Sequence, residues 1–538
     1  MGSYISHRMD GTSSDESSIS SIRSQDDSDQ ETELEAVLQF LLRSGQVHII
    51  ASDYEEDEVN QPPKISDQFN TSLLEKSEYT VTTRQASGLV RQLKCRRQRK
   101  QSLISMIQNR ERGIYSNGSF SSAIKCNISN RCLPNQMTQV ARHPGKAYCG
   151  TYSKDGSYFV SACQDYNIRY YDTSDEKFTL VKTIPGREVG WSIIDMACSP
   201  DGQHLVYSSW SESLHIFRLH GDTNNHEALR LNPPDQQRFC MFSVEFSSEG
   251  REIVGGANDG NIYVYDRERN QRSLRVAAHD DDTNSVVFAD NTSQILYSGG
   301  DDGLAKVWDR RTLNETDPKP VGVLAGHMDG ITFIDSRGDG RYLISNSKDQ
   351  SIKLWDIRVF SGNDAQTNTL KAVNQQAWDY RWQEVPTCFY DPKSKLKGDT
   401  SIMTYRGHSV LKTLVRCRFS PPEVTGQRYI YTGCAAGRVV IYDSLTGQAQ
   451  YLSGHRGCVR DVSWHPYRQE IASSCWDGVI GVWKRVVPDS LDSSDPDDKL
   501  FYGELKRGPA PLRRSLRIAK QRRRAESQRQ HSMLPSQF

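Results

Sequence analysis

The sequence predicts an all-β protein whose body is a closed ring of seven four-stranded blades, with short helices before the ring and disordered tails at both ends. Three observations predict it. From residue 136 onward, short runs of β-branched and aromatic residues alternate with Gly, Asp and Asn turns. A strand–turn–strand unit recurs at FVSACQDYNIRYYD (159–172), LVYSSWSESLHIFR (205–218), IVGGANDGNIYVYD (253–266), LYSGGDDGLAKVWD (296–309), LISNSKDQSIKLWD (343–356), IYTGCAAGRVVIYD (430–443) and IASSCWDGVIGVWK (471–484). Successive units end 46, 48, 43, 47, 87 and 41 residues apart, the 87 being one ordinary repeat plus an insertion at 359–402.

A period of about 40–45 residues carrying Gly-His and Trp-Asp marks is that of a seven-bladed WD40 β-propeller. The Gly-His marks stand at Gly326–His327, Gly407–His408 and Gly454–His455. A lone four-stranded sheet exposes two faces and two edges, and radial packing buries the faces and leaves short, protected edges. The propeller is expected over 135–485. The strand-like NQMTQVA (135–141) would add the outermost strand of the last blade and latch the circle.

Asp165, Asp259, Asp302, Asp349 and Asp477 share one position, in the turn of each unit, and Ser211 and Ala436 break the row. Carboxylates repeated at the blade period close turns and bond blade residues such as the Gly-His histidines, so neither metal binding nor catalysis is read from them. Cys163, Cys434 and Cys475 also share a position, and no CxxC pair occurs among the twelve cysteines. That pattern fits packing in a reducing compartment. With no Gly-rich phosphate loop, paired metal ligands or G-x-S-x-G elbow, no catalytic residue, cofactor or metal is expected.

Outside the propeller, residues 1–30 form a Ser/Asp-rich tail with too little apolar surface to offset ordering entropy. Its opening MGSYIS makes Gly2 a candidate myristoyl acceptor, the alternative being a chance match in a polar tail. Leu34, Val37, Leu38, Leu41 and Leu42 predict an amphipathic helix over 31–46, and 47–90 reads as polar linker. The segment 91–113 joins the basic RQLKCRRQRK to SLISMIQNRERG, where Leu103, Ile104 and Ile107 share a helix face. That helix docks either on its own propeller or on a partner. The tail 486–538 turns from acidic to basic and reads as a nuclear import signal or a nucleic-acid patch, with 91–100 a second import candidate. Nucleus and cytoplasm are the expected locations. Lys+Arg and Asp+Glu both number 67, so net charge gives no whole-protein case for required nucleic acid. No run of about 18 apolar residues occurs, and no stable membrane insertion is expected.

The units 296–311 and 343–358 both finish W-D-x-R, in consecutive blades. An Arg just past a strand end stands at the blade rim, where its planar guanidinium can make two-pronged contacts. Trp378–Asp379–Tyr380–Arg381 spells the same letters, but it lies in the insertion without a preceding strand–turn–strand. The doubled motif resembles that of the WD40 substrate receptors of the cullin-4 RING ubiquitin ligase. In that family it meets the damaged-DNA-binding adaptor protein. The resemblance carries the adaptor role to Trp308, Asp309 and Arg311 and to Trp355, Asp356 and Arg358. Other blades depart: Tyr265–Asp266 leads to Glu268, and Trp483 is followed by Lys484. GWSIIDMACSPDGQHLVYSSWS (190–211), the stretch 325–358, WDYRW (378–382) and VRDVSWHP (459–466) extend the resemblance over roughly residues 100–484, within one branch of the family that has plant members.

In this family a short helix before the propeller often inserts into the adaptor, which implies contacts from Leu103, Ile104, Ile107 and Arg110. The implied chain is a non-catalytic receptor that reaches the cullin-4 ligase through its adaptor and recruits a protein substrate. The substrate surface would lie on the opposite face, with Trp378, Tyr380 and Trp382 as aromatic anchors. Alternatively those aromatics pin the insertion to the propeller. The rival function is a WD40 scaffold in chromatin or RNA-processing complexes, where the basic tail would matter most.

Overall fold

The computed structural model describes residues 70–89, 102–114 and 118–486, save 176, 222, 235–237 and 392–394. Gly2, the helix at 31–46, the basic run 91–100 and the tail beyond 486 lie outside the described residues. Seven four-stranded antiparallel sheets form the blades. Six are built from consecutive strands. The seventh combines three C-terminal strands with Gln136–Arg142, which pairs along Val479–Lys484. The ring is therefore latched as the sequence predicts.

Within a blade the second and third strands meet in the tight turn at one end, and the third strand reaches its Trp-Asp at the other. In blade four Ile295 faces Asp309, and in blade five Tyr342 faces Asp356. The ring thus has a turn face and a Trp-Asp face, separated by five- or six-residue strands, about 17–20 Å of extended chain.

Polar chains run through three blades between these faces. In blade four the Trp308 indole N–H donates to Ser298 Oγ at 2.9 Å. Ser298 lies 2.8 Å from His279 Nε2, and His279 Nδ1 lies 2.9 Å from Asp302. Trp355, Ser345, His327 and Asp349 repeat the chain, as do Trp483, Ser473, His455 and Asp477. The carboxylate can only accept, so His Nδ1 carries the hydrogen donated to it, and in the neutral imidazole Nε2 accepts from the serine hydroxyl, whose oxygen accepts from the indole. Burial opposes it, yet His327 holds the Asp349 carboxyl well below its usual range. His279 follows Ala278, so this chain carries no Gly-His mark. In blade six Ala436 leaves no carboxylate, and His408 bonds Tyr442 Oη and Asn346 instead. Asp165 and Asp259 turn to Arg169 and Tyr263.

Neighbouring blades are registered by innermost-strand side chains that accept a backbone N–H from the next blade. Asp195 takes Val244, Glu245 takes Phe288, Asp335 takes Phe419 and Asp461 takes Gly150. Ser243, Ser285 and Ser463 do the same for Val286, Ile334 and Tyr152.

The α-helices among the described residues are α1 (Ser72–Lys76), α2 (Glu78–Ala86), α3 (Leu103–Glu111), α4 (Ser122–Ser129), α5 (Asn363–Asn374) and α6 (Pro422–Thr425). The first two correct the linker expectation for 47–90. Leu74 and Tyr79 are fully buried in one cluster with Tyr342, Tyr405 and Tyr442. Tyr79 meets Tyr342 edge-on at 5.1 Å, and the Arg337 guanidinium lies 4.6 Å from its ring centre. Burying two such side chains contributes about 1.5–3 kcal/mol each, which holds helices too short to form alone. Two glycines permit the approach. A Cβ on Gly88 would stand 2.3 Å from Ala123 O in α4, and one on Gly426 would stand 2.6 Å from the backbone of Ala86. The insertion lies between the third and fourth strands of blade five, where α5 packs Ala365 against Leu304, Val323 and Ala325.

Candidate functional site

The two W-D-x-R motifs end on the same face of adjacent blades, yet they are held differently. Arg311 closes on its own Asp309, with Nε 2.9 Å from Oδ1 and Nη2 2.6 Å from Oδ2. The guanidinium holds the Asp309 carboxyl down at about 2. In blade five Asp356 is taken by Arg341, whose Nη2 stands 2.7 Å from Oδ2. Burial nevertheless raises the Asp356 carboxyl. Arg358 keeps only a 3.6 Å approach to Asp356 and turns to Glu78 on α2, at 3.2 Å. Glu78 also bonds Arg341.

The difference traces to one residue. The position before the second strand holds Arg251, Arg341 and Arg428 in blades three, five and six, and each pairs with the Asp at its third-strand end. In blade four that position is Gln294, which leaves Asp309 to Arg311. The repeat alignment carried this signal. Glu78 carried none, because α2 reads as polar linker.

Four of the six motif residues can face a partner. The Arg311 and Arg358 side chains are 68% and 56% exposed, with Asp309 and Asp356 beneath them at 16% and 12%. Trp308 and Trp355 are buried and spend their indole N–H on serine. Their assignment to adaptor contact is therefore corrected: they hold the strand end from inside.

On α3, Ser102 caps the first turn by accepting from the Ser105 N–H at 3.1 Å. Met106 is buried and approached by Arg131 of the α4 end, while Leu103, Ile104 and Ile107 stay exposed. The helix thus spends one apolar residue on its own chain and presents three outward. Arg110 lies 5.2 Å from the Phe120 ring centre. Cys126 and Asn130 tie α4 to α6, in the loop between the first two strands of blade six, which places this assembly on the Trp-Asp face.

The insertion crosses to the turn face. Trp378 donates to Asp329 at 2.9 Å, and Lys348, in the blade-five turn, sits 4.5 Å from the Tyr380 ring centre. Both rings pack beside Val410, Leu411 and Cys458, so they pin the insertion. Trp382 is 78% exposed. Arg381 closes on Asp379 at 2.6 Å, a local clamp rather than a third blade motif. Elsewhere on the turn face a cavity of about 610 Å³ lies between blades two and three, lined by Glu188, Trp210, Glu212, Arg230, Arg238 and Phe239. His455, Cys475 and Asp477 approach one another closely enough for a metal. Both imidazole nitrogens are already committed, to Ser473 and Asp477, so His455 and Asp477 belong to the blade-seven polar chain and Cys475 is a buried neighbour of it. Cys163, Cys434 and Cys475 are buried free thiols, as packing residues should be.

The WD domain, G-beta repeat model matches residues 270–309, 318–356 and 447–484. A DDB1- and CUL4-associated factor 11 homolog from Caenorhabditis elegans is 45% identical over 370 residues, covering 66% of this chain and 64% of that protein. The homolog from Caenorhabditis briggsae is 41% identical, covering 67% of each chain. The LEC14B protein of Lithospermum erythrorhizon is 44% identical over 409 residues, covering 74% of this chain and 85% of its own length. The chain belongs to the DDB1- and CUL4-associated factor 11 and LEC14B family. Membership in the factor 11 family agrees with the branch that the propeller stretches and the insertion resemble in sequence. The 409-residue match to a plant member shows that the family likeness extends well beyond the three matched repeats.

Proposed function

We propose that this chain is a non-catalytic substrate receptor of a cullin-4 RING ubiquitin ligase. Its Trp-Asp face binds the damaged-DNA-binding adaptor protein, and its turn face holds a protein substrate. The carrying observation is the pair of exposed arginines, Arg311 and Arg358, fixed at the ends of third strands in adjacent blades. A guanidinium held by carboxylates keeps outward N–H donors in a set plane, which suits charge-assisted recognition of a partner's carboxylates and carbonyls. Leu103, Ile104 and Ile107 add the apolar part of the same docking surface. On the other face, Trp382 stands on a segment whose neighbouring aromatics are locked down, the arrangement expected of a rigid anchor. Bridging the faces raises the substrate's effective concentration near the charged ligase module, and no chemistry from this chain is required. The family names support this reading. The protein works in nucleus and cytoplasm, its basic segments serving import.

The test is affinity capture from cells with the Arg311→Ala/Arg358→Ala double variant. Loss of adaptor and cullin, with the propeller still folded, is the expected result. Undiminished recovery of both would overturn the face assignment.

A further inference from the structure

We infer that Glu78 of α2 is a positioning residue for adaptor docking, and that the α1–α2 pair thereby forms part of the docking surface. This rests on the receptor function proposed above. Glu78, Arg341, Asp356 and Arg358 form a closed ring of alternating charge. Glu78 bonds Arg341, Arg341 bonds Asp356 at 2.7 Å, Asp356 approaches Arg358 at 3.6 Å, and Arg358 returns to Glu78 at 3.2 Å. Only one member comes from outside the blade. In blade four Asp309 alone suffices to hold Arg311, because Gln294 does not compete for it. In blade five Arg341 occupies Asp356, so Arg358 turns to a second carboxylate, and among the described residues Glu78 is the one within reach.

Glu78 is delivered there by its neighbour. Tyr79 is fully buried against Tyr342, the residue after Arg341, so α2 cannot slide without emptying that pocket. The Glu78 side chain is itself 64% exposed. An exposed ion pair adds little to folding stability. Its effect falls instead on Arg358, a long side chain that otherwise loses rotamer freedom when a partner binds. Holding it in advance removes part of that cost. Arg311 is already held, so Glu78 should matter to one motif and not the other.

The experiment uses the full chain and purified adaptor, with affinity measured for wild type, Glu78→Gln, Arg358→Ala, Arg311→Ala and the two double variants with Glu78→Gln. Glutamine keeps the size of the side chain and leaves Tyr79 in place. Glu78→Gln should bind roughly two- to tenfold more weakly, at an unchanged unfolding midpoint. Combined with Arg358→Ala it should add nothing further, whereas combined with Arg311→Ala the two losses should multiply. If both arginine variants bind like wild type, the face assignment fails and this inference falls with it. If they weaken binding but Glu78→Gln binds as wild type or tighter, or if its loss multiplies with that of Arg358→Ala, the positioning role alone is overturned.

Discussion

Arg311 grips Asp309 with two parallel contacts, 2.9 Å from Nε to Oδ1 and 2.6 Å from Nη2 to Oδ2. Lysine would keep the charge and lose the fork. Arg311→Lys should therefore weaken adaptor binding about tenfold, close to the effect of Arg311→Ala, in a calorimetric titration. Equal binding by Arg311→Lys would mean that charge alone matters there.

The polar chain of blade five makes a stability prediction. Ser345→Ala leaves the Trp355 N–H and His327 Nε2 buried without partners. Each orphaned group costs about 1–3 kcal/mol, so the variant should lose about 2–6 kcal/mol in urea unfolding. An equivalent serine removal in blade six has no counterpart, because His408 there uses Tyr442 and Asn346.

Glu245 gives a dependence on pH. Burial pushes its carboxyl up to about 7, and the same cause pushes Asp335 up to about 6. Between the usual carboxylate range and pH 7, the folded chain binds more protons at Glu245 than the unfolded chain. That contribution to stability is present at low pH and is lost as pH rises through about 7. Glu245→Gln can still accept the Phe288 N–H and never has to bury a charge. It should be more stable than wild type at pH 8 by ~2 kcal/mol, with the gap closing toward pH 5. A gap that widens as pH falls would contradict this.

Gly426 sits at a left-handed φ of 66°, with its would-be Cβ 2.6 Å from Ala86 and Ser87 backbone. Gly426→Ala should loosen α2 while leaving blade six paired. Hydrogen exchange should speed up over 78–86 and stay slow over Tyr429–Thr432 and Arg438–Asp443.

The insertion separates anchoring from display. Trp378→Ala removes the bond to Asp329 and an aromatic contact with Phe389, and should lower the unfolding midpoint. Trp382→Ala changes a largely exposed side chain and should leave stability within about 0.5 kcal/mol. If Trp382 anchors substrate, its variant alone will lose substrate crosslinks while retaining adaptor.

Much of the ring was legible because a blade repeats. The recurring turn aspartates, the Gly-His pairs and the early strand at 135–141 each recorded a local requirement that recurs or closes a circle. Asp349 and Asp477 meet the Gly-His histidines as expected, Asp302 meets His279, which no Gly-His mark announced, and Gln136–Arg142 latches the last blade. The motif tryptophans were legible as letters and misread as contacts. A side chain's direction at a strand end follows from the pleat and from what fills the blade, and Trp308 and Trp355 fill it.

The sequence by itself determined the fold, the blade count, the closing strand, the place of the insertion and the two arginines at adjacent strand ends. Those features are periodic or covalently local, so alternation and spacing encode them. Only the tertiary structure decided that α1 and α2 exist, that Trp382 stands out while Trp378 and Tyr380 lie down, and that Glu78 completes the second motif. Leu74 and Tyr79 are too few to mark a helix, and they become decisive once the cluster around Tyr342 receives them. Glu78 and Arg358 are 280 residues apart in the chain, and no local pattern records a contact made by folding one end of the protein onto its ring.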